Sequence, residues 1–382
     1  MIDRLAARFR ERFGCDARIY RAPGRVNLIG EHTDYNEGFV LPAALNLATW
    51  VAASPRTDGR LVAQSEHLGD SREWDLREAE PSPARHWSDY IAGVAVMLQR
   101  AGYPVEGATL LIASDVPIGS GLSSSAALEV ATALALLDLA GRDIDRTELA
   151  KICQRAEIEF VGARVGIMDQ FIACHGVAGA AVLLDCRSLD FRAVPIPGDV
   201  RLVACNSMVR HGHAGGEYNR RREECERGVA LLRAREPGVR SLRDVTLAML
   251  EKHRTALPDV IFCRCRHVVA ENGRVEATVA ALEQGRLDAI GPLMADSHSS
   301  LREDYEVSCP ELDLLVELAS AVPGVCGARM TGGGFGGCTV NLVPAGMVDT
   351  FHERVAAAYE ARTGRRPEIY PSEAGPGASR VQ

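Results

Sequence analysis

One junction restricts this chain more than any other. The run Thr109 to Ala113 predicts a strand, and Pro117-Ile118-Gly119-Ser120-Gly121-Leu122-Ser123-Ser124-Ser125 follows it. The largely apolar stretch Ala126 to Leu139 comes next and predicts a helix that stops at Gly141. Strand, glycine turn and buried helix in that order predict an α/β arrangement. The start of a helix carries unpaired backbone N–H groups and partial positive charge. Glycines let an anion approach those groups closely. Gly119 to Ser125 therefore suits a phosphate, and its hydroxyls suit a divalent cation. An ordinary glycine turn capped by serine fits the same residues equally well.

The lysine count narrows the chemistry. The chain has only Lys151 and Lys252, and neither follows a glycine, so there is no Walker A loop. No HRD or DFG tripeptide of a protein kinase occurs either. A nucleotide, if used, must be held in another way. The 382 residues predict two domains. The formal charge of −8 gives no general attraction to nucleic acid or to an anionic membrane surface. No apolar run approaches a membrane span, and the first residues, charged and amphipathic, do not read as a signal peptide. Eleven cysteines with no C-x-x-C pair predict reduced thiols and a cytoplasmic setting.

Periodicity supplies the remaining elements. Leu5, Phe9 and Phe13 predict a first helix ending at Gly14, and Trp87, Ile91, Val94 and Leu98 predict another. Strands are expected at Ala17–Arg21 and Leu45–Ala53, flanking a long polar loop. A helix is expected from Thr147 to Val161. Strands at Ala180–Leu184 and Val200–Cys205 bracket a Pro197-Gly198 turn that suits a domain junction. The second half reads as mostly helical: Arg220–Leu232, Leu242–Leu250, Val260–Glu283, Leu287–Ser300 and Leu312–Ala319. A strand at Cys338–Leu342, a helix at Met347–Ala361 and a short strand near Ile369 follow. The tail Gly375–Gln382 is expected to be disordered.

Three further segments carry chemistry. Arg21 to Pro42 reads RAPGRVNLIGEHTDYNEGFVLP, with Glu31, His32 and Asp34 close after Arg25. Carboxylates and a histidine suit the hydroxyls of a sugar. On polar density alone a solvated acidic loop is the better reading. Thr331-Gly332-Gly333-Gly334-Phe335-Gly336-Gly337 fits G-x-G-x-x-G, but a strand pattern follows where a dinucleotide site needs a helix. Close backbone approach to another loop or a ligand explains those glycines better. His211, His213, Cys263, Cys265 and His267 fit no zinc spacing and read as structural. Arg220-Arg221-Arg222 reads as one solvated helix face, although it follows Tyr218 and could help hold phosphate.

Together these segments resemble the GHMP small-molecule kinases. GRVNLIGEHTDY at 24–35 narrows the resemblance to the galactokinases. PIGSGLSSSAALE at 117–129 is similar to that family's ATP loop, and TGGGFGG at 331–337 to its third motif. GIMDQF at 166–171 and EYNRRREEC at 217–225 also match. The small residue at Ser120, where the family has alanine or glycine, is the one departure. The resemblance implies a two-domain α/β (α+β type) fold, split at 192/193, with the active site in the cleft between domains. It implies transfer of the γ-phosphoryl group of ATP to the O1 hydroxyl of galactose, with Mg²⁺ as cofactor. Galactose and MgATP would be the partners, with no nucleic acid or membrane, in a monomer or weak homodimer.

The resemblance also implies roles. Asp169 would act on the O1 hydroxyl and Arg25 would pair with it. Glu31, His32, Thr33, Asp34, Gly166 and Tyr218 would contact the sugar. Gly119, Ser120, Gly121, Leu122, Ser123, Ser124 and Ser125 would wrap the ATP phosphates, with Ser65 and Trp87 near the base. Ser125 and Glu157 would ligate Mg²⁺. A carboxylate beside an arginine is a weak base, so Asp169 is expected mainly to orient the hydroxyl and take its proton late. The alternatives are a kinase for N-acetylgalactosamine or arabinose, and a non-catalytic galactose and ATP sensor. The undamaged serine run of the ATP loop argues against the sensor.

Overall fold

The computed structural model describes every residue except 82–85 and 211–213. Its strands, in chain order, are β1 (Arg18–Asn27), β2 (Phe39–Val40), β3 (Pro42–Pro55), β4 (Arg60–Ser65), β5 (Ser71–Asp75) and β6 (Ala108–Ser114). Then come β7 (Ala180–Asp185), β8 (Phe191–Pro195), β9 (Val200–Arg210), β10 (Gly327–Thr331), β11 (Gly336–Pro344), β12 (Glu368–Ser372) and β13 (Ser379–Arg380). The helices are α1 (Ile2–Phe13), α2 (Asp89–Arg100), α3 (Ser124–Leu139), α4 (Arg146–Arg155), α5 (Met168–His175) and α6 (Ala214–Arg233). They continue with α7 (Leu247–Lys252), α8 (Asp259–Glu283), α9 (Ile290–Glu303), α10 (Pro310–Ser320) and α11 (Val348–Thr363).

Three sheets organise these elements, in the orders β13-β1-β3-β6-β4-β5, β10-β11-β9-β12 and β2-β7-β8. Side chains alternate across a strand, so each sheet can serve two cores. In the first sheet Tyr20, Ala22, Val51 and Ala53 face the helices α2 to α5. Ile19, Trp50 and Ala52 face Leu5 and Phe9 of α1. In the second sheet Val203, Cys205 and Val343 pack against α10 and α11. Its other face, with Leu202, Ala204, Val340 and Leu342, joins Val26, Leu28, Ile29 and Leu41 from the first half. The two halves thus share a core beneath the cleft. The expected division at 192/193 falls inside β8.

Several expectations change on contact with the structure. The tail is ordered: Gly375, Gly377, Ala378 and Val381 donate backbone hydrogen bonds to Ala44, Gly176, Ala173 and Ile19, each at 2.8 Å. Its composition reads as disorder, but glycine is there for close approach. A Cβ on Gly377 would stand 2.5 Å from the Cys174 carbonyl oxygen. The strand expected to end at Arg21 runs on to Asn27, so much of the supposed loop before the acidic residues is sheet. The helix expected at 242–250 is a 3₁₀ turn at Leu242–Asp244 followed by α7. The helix expected at 147–161 ends at Arg155 and continues as a π-helical segment, Ala156–Val161. The eleven cysteines are free thiols. Among the described residues no helix is long and apolar enough to cross a membrane.

Candidate active site

The cleft is set up by a break in one ladder. Pairing between β1 and β3 shifts register between Pro23 and Arg25. Pro23 has no N–H to give a ladder. Gly24 has no Cβ, which would otherwise meet the Leu122 carbonyl oxygen at 2.7 Å. Arg25 N–H therefore donates to Leu122 O at 3.0 Å, tying β1 to the glycine–serine loop. Irregularities of this kind re-aim side chains beside functional sites.

The Arg25 side chain is buried and makes a two-pronged contact with Asp169. Nε donates to Oδ1 at 2.9 Å and Nη2 to Oδ2 at 2.7 Å. Its Nη1 donates to the Gly121 carbonyl. Asp169 lies in the first turn of α5, where the helix dipole favours a negative charge. The hydroxyl of Ser123 also donates to Asp169 Oδ2. Ser123 precedes α3 in a left-handed conformation (φ 60°) and makes no side-chain cap. The expectation of a serine cap thus gives way to a bond across the site.

A cavity of about 120 Å³ opens on this pair. Arg25, Glu31, His32, Asp34, Val165, Gly166, Met168, Asp169, Tyr218, Gly332 and Gly333 line it. Of these, Arg25, Glu31, His32, Asp34, Gly166, Asp169 and Tyr218 were singled out from sequence. Gly332 and Gly333 belong to the glycine run read as a close approach to a loop or a ligand, whereas Val165 and Met168 were not singled out as site residues, because nothing in their type marks them. Glu31 is buried, and its Oε1 accepts from Thr331 Oγ1 at 3.0 Å, Gly332 N at 2.8 Å and Arg329 Nη1 at 3.5 Å. Burial, followed by the charge of Asp169, pushes the Asp34 carboxyl up to about 6. A Cβ on residue 166 would stand 1.7 Å from Asp34 Oδ2, so glycine there makes room for this carboxylate. Burial, with His267, Arg221 and Arg329 nearby, takes His32 down to about 3, so its imidazole is neutral. His32 Nδ1 meets Tyr35 OH at 2.8 Å, and Nε2 is buried without a hydrogen-bond partner among the described residues.

The glycine–serine loop before α3 is built from backbone. Gly119 and Gly121 have positive φ. The third glycine motif packs directly on it: Cβ atoms on Gly332 and Gly337 would meet Gly121 O at 3.0 Å and Ser120 O at 2.8 Å. Ser120 Oγ donates to Pro117 O at 2.8 Å, and the Leu122 side chain belongs to the shared core. These two contribute only backbone to the loop's open face.

Other expected residues stand elsewhere. Thr33 does not line the cavity; it is buried, and its one hydroxyl proton is shared between the Gly30 and Phe39 carbonyls, at 2.8 and 2.6 Å, clasping the acidic turn. Its short hydroxyl is spent on its own loop. Ser65 and Trp87 lie outside the cavity and meet around Asp70, which takes Trp87 Nε1 at 3.4 Å and whose carbonyl takes Ser65 N at 3.0 Å. Glu157 is buried in the π-helical segment, and burial followed by the Asp169 charge pushes it up to about 7. His267 is bonded to Ser300 Oγ and Glu31 O, a structural role. His211 and His213 lie outside the described residues. Arg221 is not a solvated residue: it is buried and donates to the Tyr305 and Glu306 carbonyls.

Comparison with known proteins places this arrangement. The galactokinase galactose-binding signature matches residues 7–55, the GHMP kinase N-terminal domain residues 89–177 and the GHMP kinase C-terminal domain residues 278–361. Galactokinase of Roseiflexus sp. is 49% identical over 99% of this chain and 96% of its own length. The chain belongs to the galactokinase family. Galactokinase of Chloroflexus aurantiacus is 50% identical over 99% of this chain and 97% of its own. The crystal structure of Lactococcus lactis galactokinase complexed with galactose superposes with a TM-score of 0.94, at 37% identity and full coverage of both chains. Methanococcus jannaschii mevalonate kinase shares the fold, with a TM-score of 0.66 at 18% identity, over 94% of this chain and 99% of its own. The two-domain α/β galactokinase architecture expected from the motifs is therefore the one observed.

Proposed function

We infer that this chain transfers the γ-phosphoryl group of ATP to the O1 hydroxyl of α-D-galactose. The observation that carries this is the Arg25–Asp169 pair, shared between a cavity lined by acidic groups and a glycine loop at a helix start. The galactose complex of the Lactococcus relative supports the choice of sugar.

Phosphoryl transfer needs positioning and charge stabilisation more than covalent chemistry. Asp169 would accept a hydrogen bond from the O1 hydroxyl and take its proton as the bond to phosphorus forms. Both oxygens of Asp169 are held by Arg25, which fixes the carboxylate and spreads positive charge toward the reacting oxygens. The known partners of Glu31 all meet Oε1, which leaves Oε2 for a sugar hydroxyl. His32 Nε2, Asp34 and Tyr218 would complete the sugar's hydrogen bonds. Gly119 to Ser125 and the N–H groups opening α3 would receive the phosphates. Ser65 and Trp87 would flank the base.

The residues present fit a magnesium ion. Ser125 favours the charged form of the Glu157 carboxyl, yet burial outweighs this and pushes the group up to about 7. A hydroxyl and one carboxylate, completed by phosphate oxygens and water, suit Mg²⁺. Among the described residues no cluster of three or more His, Cys, Asp or Glu offers a cage for another metal. When bound, Mg²⁺ would neutralise charge on the β- and γ-phosphates. The free thiols support a cytoplasmic setting.

An ADP-release assay across galactose, N-acetylgalactosamine and arabinose tests the reading. Galactose should give the highest kcat/KM. No ADP with any sugar would indicate a sensor, and a better acceptor than galactose would overturn the substrate.

A further inference from the structure

Behind Glu157 lies a buried polar chain that the reaction as described does not use. Gln170 sits beside Asp169 in the first turn of α5, and its side chain is inaccessible to solvent. Its Nε2 donates to Glu157 Oε2 at 2.7 Å and to Glu129 Oε2 at 2.9 Å. An amide nitrogen has two N–H groups, so both are used. Turned over, the amide would present its oxygen to two carboxyl groups instead. With its Nε2 toward both, Gln170 is oriented as ionised carboxylates require, and its Oε1 is left buried and unpartnered among the described residues.

Glu129 is the stranger member. It is wholly buried in α3, and Gln170 is its one hydrogen-bond partner among the described residues. Its Oε1 has none. Burying a carboxyl group with so few partners is costly, and an apolar residue would pack there more cheaply. The position gives a reason. Glu129 follows Ser125 by four residues, so the two share one face of α3. Three elements therefore meet at this point. The helix α3 carries Ser125 and Glu129, the π-helical segment carries Glu157, and α5 carries Asp169 and Gln170.

We propose that Gln170 is a positioning residue that holds the Glu157 carboxylate toward Ser125 for the metal, and that Glu129 anchors Gln170 in turn. This rests on the reading of Glu157 as a magnesium ligand. Groups that orient a ligating carboxylate commonly change metal affinity about 10- to 100-fold when removed. The arrangement also gives α5 two tasks from adjacent residues: Asp169 addresses the sugar and Gln170 addresses the metal ligand.

The test uses Mn²⁺ as the probe, followed by its electron paramagnetic resonance in the complex with a non-hydrolysable ATP analogue. Galactose affinity by calorimetry checks that the site is intact. Gln170→Leu should weaken Mn²⁺ binding about 10- to 100-fold while galactose affinity stays within about threefold. Glu129→Leu should weaken Mn²⁺ at least about fivefold. Glu129→Gln keeps an acceptor for the Gln170 amide and should restore binding to within about threefold of the unaltered protein. Gln170→Met, similar in length and lacking N–H donors, replaces the leucine variant if that one does not fold. Glu157→Gln separates the two layers of the argument. If it loses Mn²⁺ while both Gln170 variants keep it, the positioning role is overturned. If Glu157→Gln keeps Mn²⁺ affinity as well, the metal reading itself falls.

Discussion

Two walls face each other across the cleft, and they are made differently. The wall proposed to meet the sugar is made of buried side chains whose partners come from far along the chain. Glu31 is held by Thr331, Gly332 and Arg329, and Gly30 N–H donates to Glu271 at 2.9 Å. The wall proposed to meet the phosphates is made of backbone in glycine conformations, and the Ser123 hydroxyl reaches across the site instead of capping its own helix. The first wall is assembled by folding itself. The second keeps its donors in reserve. Damage to the first should therefore cost stability together with sugar binding, and damage to the second should cost nucleotide binding alone.

Four substitutions and one titration test that division. Asp169→Asn, at the seam of the walls, is expected to lower kcat about 10²- to 10⁴-fold. The circular dichroism spectrum should not change. Substantial remaining turnover would refute the role given to Asp169. Glu31→Ala strands the wholly buried Arg329 without its carboxylate. A loss of about 3–5 kcal/mol in denaturant unfolding is expected. A small loss would mean that the sugar wall is not held as described. Gly166→Ala drives a methyl group into Asp34, so KM for galactose should rise up to about 100-fold with KM for ATP little changed. Gly121→Ala would place its Cβ 3.7 Å from the Thr331 carbonyl oxygen, an ordinary contact, but must adopt φ near +82°. That strain of about 1–2 kcal/mol should appear as a higher KM for ATP, with galactose affinity preserved. A matching rise for galactose would erase the distinction between the walls.

The titration concerns Asp34, which is raised to about 6 by burial and the neighbouring Asp169 charge. Between the ordinary carboxyl range and that value the native state binds more protons than the unfolded chain. Stability from this group therefore falls as pH rises through about 4 to 6, and levels off above. Asp34→Asn removes the dependence. Its unfolding free energy should gain on the parent by about 2 kcal/mol between those limits. An equal difference at both ends would contradict the shift.

The phosphate wall was the more legible of the two, because its signal is local: glycines, serines and an apolar helix in sequence. The acidic turn showed as a cluster of polar residues, yet its burial did not, since Thr331 and Gly332 stand some three hundred positions away. Arg329, an arginine inside a strand pattern just before the glycine motif, was a usable clue to a buried ion pair. Asp169 and Gln170 were legible only through the resemblance, as α5 is too short for periodicity to announce it. The ordered tail failed for a related reason: glycine was weighed as flexibility where the fold uses it as clearance.

The backbone contact between Gly121 and Gly332, and between Ser120 and Gly337, bears on how such proteins can be recombined. The two loops are far apart in sequence but have to be matched as surfaces. A hybrid of two relatives with its crossover anywhere between them inherits one loop from each parent. Such hybrids should survive when the parent that supplies the second loop keeps glycine at 332 and 337, and should fail to close when it carries a side chain at either position.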